Sequence, residues 1–202
     1  AGHVGIDFIA GPTEIVIIAE DGNPAWIAAD MLAQAEHDTD ASAILLTTSR
    51  GLGEAVATEV SRQLEDLPTA AIAGEAIRKN SAVILCESLD QAVEASNRLA
   101  PEHVSVHDPR VINLIRHAGS VFVGAGSPEA AGDYASGPNH VLPTSGAARL
   151  RGGLSAADFV KVISIQELSP EALQKLAPAI TTLARAEGLE AHARSVEVRL
   201  AR

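Results

Sequence analysis

The densest concentration of reactive side chains is Gly132-Asp133-Tyr134-Ala135-Ser136-Gly137-Pro138-Asn139-His140, which packs an acid, a phenol, a hydroxyl, an amide and an imidazole into nine residues. Two glycines and a proline argue against an ordinary helix there. The expectation is a buried polar loop whose donors and acceptors a ligand or metal helps to satisfy. Asp133 can serve as a hard oxygen ligand and His140 as a substrate contact, with Gly132 and Gly137 allowing close backbone approach. The alternative is a structural loop knitted by its own side-chain hydrogen bonds.

Two further places carry related chemistry. Gln34 and His37 lie three residues apart near the expected end of a helix, so both project from one face and can bring an amide oxygen and an imidazole to one cation. The plainer reading is a histidine that complements a helix dipole. Glu102 and His103 follow Pro101, and a carboxylate beside an imidazole is a natural general acid/base pair. Neighbours on a regular strand point to opposite sides, so both reach one pocket only if the backbone bends there. Otherwise they are solvated groups on a surface turn. His192, after Glu187, reads alone as an exposed histidine, and His3, His107 and His117 have no companions that suggest chemistry. Two classes stay open on these grounds. One is a metalloenzyme with Gln34, His37, Asp133 and His192 around zinc, since nitrogen and oxygen donors without thiolates suit a substrate-binding or catalytic ion. The other is a non-catalytic α/β interaction domain whose polar loops bind a partner.

The elements that must position these residues follow from pattern. Glu14 to Glu20 is a short β-branched run bounded by turn signals, hence a buried strand. Pro24 after Asn23 starts a helix running to about His37. Ala43 to Thr48 and Ala82 to Leu85 are further strands, and Gly51 to Leu67 and Ser88 to Leu99 are helices. Val104 to Val106 and Ser120 to Gly124 complete the strands, with Pro109 to Arg116 helical between them. Alternation of this kind predicts an α/β fold, a Rossmann-like parallel sheet with helices on both faces. Ligands in such sheets sit beyond the carboxyl ends of the strands. Neither a G-x-G-x-x-G loop after a strand nor a Walker-type loop occurs. Past Gly152-Gly153 the pattern changes. Val160 to Glu167 reads as one more strand, Ser169-Pro170 as a helix start, and Leu189 to Arg202 as a second helix after Gly188. The division is therefore residues 1–150 as the α/β part and residues 151–202 as a C-terminal helical tail.

With 202 residues, 47% of them hydrophobic, the chain can bury a real core, although only 2% are aromatic. A net charge of −11 argues against nucleic acid or an anionic membrane as partner. The lone Cys86 permits no internal disulfide, and neither a signal peptide nor a membrane span is visible. The expectation is a soluble, cytoplasmic protein. The chain opens on Ala1 rather than Met and runs through Ala1 to Asp7 toward a strand, which suggests a fragment parted from an upstream portion.

The segments Gly11-Pro12-Thr13-Glu14, Gln34-Ala35-Glu36-His37, Pro101-Glu102-His103, Gly119 to Gly124 and Gly132 to Thr144 occur in this order and together resemble the C-terminal half of histidinol dehydrogenase. The resemblance implies zinc held by Gln34, His37, Asp133 and His192, the last donated by the partner subunit's tail in an intertwined homodimer. It implies Glu102 and His103 as the acid/base pair. It also places Thr13 where the family usually has a serine touching substrate, Glu187 on the substrate amine and His140 in the pocket. The implied reaction is the four-electron oxidation of L-histidinol to L-histidine through the aldehyde with two NAD. His103 takes the alcohol proton, and Glu102 activates water on the aldehyde. Because the family's NAD-binding region lies mostly upstream, no NAD-binding residue is expected here, and little or no activity is expected of the chain alone. Two other readings remain: a related polyol dehydrogenase, such as one acting on sulfopropanediol, and a zinc hydrolase. Glu187 favours the histidinol reading, since a carboxylate suits an ammonium group and repels a sulfonate.

Overall fold

The computed structural model describes residues 10–201. His3 and the approach from Ala1 to Asp7 lie outside the described residues. Two compact units are present, one reaching Phe159 and the other beginning at Val160.

In the first unit five strands form one parallel sheet: β1 (Glu14–Ile18), β2 (Ser42–Thr47), β3 (Ala82–Leu85), β4 (His103–Val106) and β5 (Ser120–Val123), in the order β3-β2-β1-β4-β5. The strand pattern explains why the sheet has two dry sides. Ile15 and Ile17 point to one face and Val16 and Ile18 to the other, all essentially inaccessible to water. The first face packs on α1 (Pro24–Ala35), α2 (Arg50–Glu65) and α3 (Ala70–Asn80), where Ile27, Met31, Val56 and Ala73 join the core. The second packs on α4 (Leu89–Leu99) and a 3-10 helix over Pro109–Leu114 through Ala92, Val93 and Val111. Caps set the helix starts: Asn23 accepts from the Ala25 N–H, Ser49 from Leu52 and Ser88 from Gln91.

The structure departs from the sequence pattern in four places. A further helix, α3, fills the stretch after Leu67. Strand β3 lies at the edge of the sheet with Val83, Ile84 and Leu85 exposed, so helices do not cover the whole sheet. Residues 160–167 form no strand, and Val162 and Ile165 stand exposed. Their β-branched pattern suits a ladder, but a strand needs a partner, and among the described residues the sheet has β3 and β5 as its edges. Finally, Ala130–Tyr134 forms a one-turn helix, α5, through Gly132 and Asp133.

In the second unit α6 (Pro170–Ala186) and α7 (Glu190–Leu200) form a hairpin. Gly188, at φ +76, turns the chain, and the Leu189 N–H closes onto the Ala184 carbonyl at 2.7 Å. Arg185 pairs with Glu190 and Glu197 across the hairpin. Among the described residues no helix is long and apolar enough to cross a membrane.

Candidate active site

Several of the residues singled out by type, Gln34, His37, Glu102, His103 and Asp133, meet at the amino-terminal edge of the sheet. Glu14 opens β1, His103 opens β4, and α1 runs back against the strands so that Gln34 and His37 arrive at the same edge. This corrects the expectation that a ligand site lies beyond the carboxyl ends. The functional groups here come from strand starts and a helix end, not from the loops that follow the strands.

A short connection bends Glu102 toward His103. Helix α4 ends on Ala100, whose left-handed φ of 52° costs an L-residue roughly 1 kcal/mol and turns the chain sharply into Pro101. Strand β4 starts only at His103, so Glu102 is still on the bend. The two side chains therefore share a side, with Glu102 Oε2 3.7 Å from His103 Nδ1. Both are buried, at 7% and 3% exposure, which removes the surface-turn reading. Gly119 makes this approach possible, because a Cβ there would stand 2.6 Å from the Glu102 carbonyl oxygen.

A hydrogen-bond relay links the pair to the other elements. His103 Nδ1 lies 3.2 Å from the Glu14 carbonyl and 3.1 Å from Gln34 Oε1. The backbone carbonyl can only accept, so it decides the tautomer: Nδ1 carries the proton and Nε2 keeps its lone pair. Gln34, fully buried, donates from Nε2 to Thr13 Oγ1 at 2.6 Å, and Thr13 donates to Glu102 Oε2 at 2.5 Å. The Glu14 N–H adds a longer bond to the same carboxylate oxygen at 3.3 Å. Glu14 in turn accepts from the Ser145 N–H, and Thr144 accepts from the Gly11 N–H, so the segment after Leu142 pins the loop that carries Thr13. Burial pushes the Glu102 carboxyl above its ordinary range against the lowering effect of the Thr13 and Glu14 bonds. Burial also pushes the His103 imidazole below its ordinary value, which favours the neutral ring.

Beside this relay lies a second cluster. His37, Glu129 and Asp133 each place one ligand atom within 4.8 Å of the other two. His37 sits just past the end of α1 and is exposed. Asp133 is half-buried on α5, and Glu129 is buried at 2% exposure with Oε2 lacking a hydrogen-bond partner among the described residues. Burial first, then the charges of Asp133, Asp30 and Glu102, push the Glu129 carboxyl up to about 8. One imidazole and two carboxylates, one of them with an orphaned buried oxygen, are a donor set that fits a borderline divalent ion such as zinc.

Glu129 is the residue that the sequence reading missed. Its signal was its position four residues before Asp133, which places both on one side of a helical turn. The glycine of that turn has a packing reason, since a Cβ on Gly132 would stand 2.7 Å from the Phe122 ring. Phe122 lies against His103 with ring centroids 5.9 Å apart. The polar stretch is consequently not a buried loop. It begins as the end of α5 and is exposed from Tyr134 to His140. Glu187, the C-cap of α6, and His192, on α7, belong to the second unit and are both exposed.

The family model described as histidinol dehydrogenase matches residues 1–200. The chain belongs to the histidinol dehydrogenase family. It is 54% identical to the histidinol dehydrogenase of Geobacter metallireducens and 52% identical to that of Rhizobium meliloti, in each case over 98% of this chain and 47% of the relative. The crystal structure of histidinol dehydrogenase from Elizabethkingia anophelis superposes with a TM-score of 0.94 at 41% identity, covering 98% of this chain and 46% of that one. The chain thus spans about half the length of the family members it matches.

Proposed function

We propose that this chain is the zinc- and substrate-binding half of a cytoplasmic enzyme of histidine biosynthesis that oxidises L-histidinol to L-histidine through the aldehyde, with NAD as oxidant. The observation that carries the reading is the buried relay from His103 through Gln34 and Thr13 to Glu102, which prepares two groups with separate roles. His103 has Nδ1–H fixed and Nε2 open, and burial keeps the ring neutral, so Nε2 accepts the proton of the substrate alcohol. Glu102 has Oε2 held by Thr13 and Glu14, which leaves Oε1 to take a proton from the water that adds to the aldehyde. A carboxyl raised by burial is a better base for that task than a solvated one.

Gln34, His37 and Asp133, with His192 from the tail of a second subunit, would hold the zinc, whose bound charge orients the imidazole and amine of the substrate. Exposed Glu187 is suited to the ammonium group and His140 to the rim of the pocket. The tail by itself buries only small side chains, Ala177, Ala184 and Ala193, while Leu176, Leu183 and Val198 stand exposed. So slight a core favours a tail that docks on a partner subunit. The residues present do not fit NAD, because no glycine-rich phosphate loop follows a strand.

Calorimetric titration of the zinc-loaded chain tests the reading. L-histidinol should bind and a dihydroxypropane sulfonate should not, and Glu187→Gln should weaken histidinol binding about tenfold or more. Preference for the sulfonate would transfer the assignment to the sulfopropanediol dehydrogenases. NADH formation by the chain alone would reject its status as an inactive half.

A further inference from the structure

The metal cluster contains a carboxylate that the zinc ligand set given above does not use. Glu129 is only 2% exposed, and its Oε2 has no partner among the described residues. Leaving a carboxylate oxygen buried and unmatched is unfavourable by several kcal/mol in general, and Asp133, Asp30 and Glu102 stand close enough to add repulsion. A positive charge at the point where Glu129 faces His37 and Asp133 removes both penalties. The distances allow it. Nitrogen and oxygen ligands at about 2.0–2.2 Å from one tetrahedral ion stand roughly 3.3–3.6 Å apart. The three ligand atoms, within 4.8 Å of one another, need to close by at most about 1.5 Å.

Resting on the reading of this edge as a zinc site, we propose that Glu129 is itself a metal ligand, and that His37, Glu129 and Asp133 hold a divalent ion within the first unit without His192. The tail histidine then adds to a site that already exists. Metal loading precedes completion of the pocket, and the carboxylate is the donor that a protein-supplied imidazole or the substrate later joins or displaces. An open position on such a three-ligand site is what substrate coordination requires. His37, exposed at the rim, gives the ion its path in, and buried Glu129 gives the site its floor.

Titration of the full-length chain with Co2+, followed by its visible absorption, tests this in wild type, His192→Ala, Glu129→Gln and the double variant. The expected result is one Co2+ per chain in His192→Ala, bound less tightly than in wild type. Glu129→Gln should weaken binding at least tenfold in either background and change the intensity of the cobalt band. Unchanged affinity and spectrum in Glu129→Gln, with wild type binding normally, would overturn the proposal and leave the zinc reading intact. Complete loss of binding in His192→Ala would overturn tail independence. A wild type that binds no Co2+ would remove the zinc reading together with the proposal. If Glu129→Gln does not fold, Glu129→Asp and Glu129→Asn serve instead. They match in size, so tighter binding by Asp supports the carboxylate as ligand, and equal binding rejects it.

Discussion

Glu129 makes the folding of the metal-free chain sensitive to pH. Its carboxyl titrates near 4.5 when solvated and is pushed up to about 8 in the fold, by burial first and then by Asp133, Asp30 and Glu102. The folded state therefore holds this proton more tightly than the unfolded chain does. Its contribution is complete below 4.5 and is lost as pH rises through about 8. At roughly 1.4 kcal/mol per pH unit between the two values, the loss amounts to a few kcal/mol. Glu102, also raised by burial, acts in the same direction, whereas His103, lowered by burial, acts in the opposite one. The informative quantity is thus the difference between wild type and Glu129→Gln, melted in chelator at about pH 5 and about pH 8. The variant should gain on wild type by several degrees at the higher pH, and a difference that does not move with pH would reject the assignment. None of this was visible in the sequence. Gln34, Glu102 and His103 stood out by type and by neighbouring motif, and Thr13 through the family resemblance. Glu129 carried only its four-residue spacing from Asp133, because sequence does not report burial.

At the scale of elements, the site is a junction of a helix end, two strand starts and one short helix, so its precision depends on how closely these approach. Gly132 is one of the close contacts. An alanine methyl there would meet the Phe122 ring at 2.7–2.8 Å, and Phe122 is buried against His103. Gly132→Ala should destabilise the chain by about 1–3 kcal/mol through overpacking. The displaced ring should also move the chemical shifts of the His103 imidazole. A variant with wild-type stability and an unmoved His103 signal would show that α5 gives way without reaching Glu102 and His103. The elements themselves were largely legible, because their signals are local: caps at Asn23, Ser49, Ser88 and Ser169, and β-branched runs at β1, β2 and β4. The errors arose where tertiary context decides. The apolar spacing of Ile72, Ala73, Ala76 and Ile77 in α3 was hidden by alanine-rich composition. The run from Val160 to Glu167 has the residues of a strand but no partner. Gly132 disfavours a helix taken alone, yet one turn forms because the glycine lets that turn pack against Phe122.

At the scale of the whole molecule, the proposal that the tail of one subunit completes the metal site of another makes its own prediction. Glu187 and His192 are exposed on a hairpin that buries little more than three alanines, so their chemistry is directed outward. If the tail serves the partner subunit, two defective chains should repair each other. A chain with His37→Ala keeps a sound tail on a broken core, and a chain with His192→Ala keeps a sound core with a broken tail. In a mixed dimer with exchanged tails, one of the two sites combines the sound core with the sound tail. After denaturation and joint refolding, random pairing should restore wild-type affinity for Co2+ in about a quarter of all sites. The His192→Ala chain alone should show only weaker, tail-independent binding. With each tail serving its own core, every site in the mixture lacks one of the two histidines and no tight class appears at any ratio. A tight fraction that peaks at equal mixing and vanishes at either extreme is therefore the signature of exchange between subunits. Its absence, with dimers still present in solution, would mean that the tail holds subunits together without completing their metal sites.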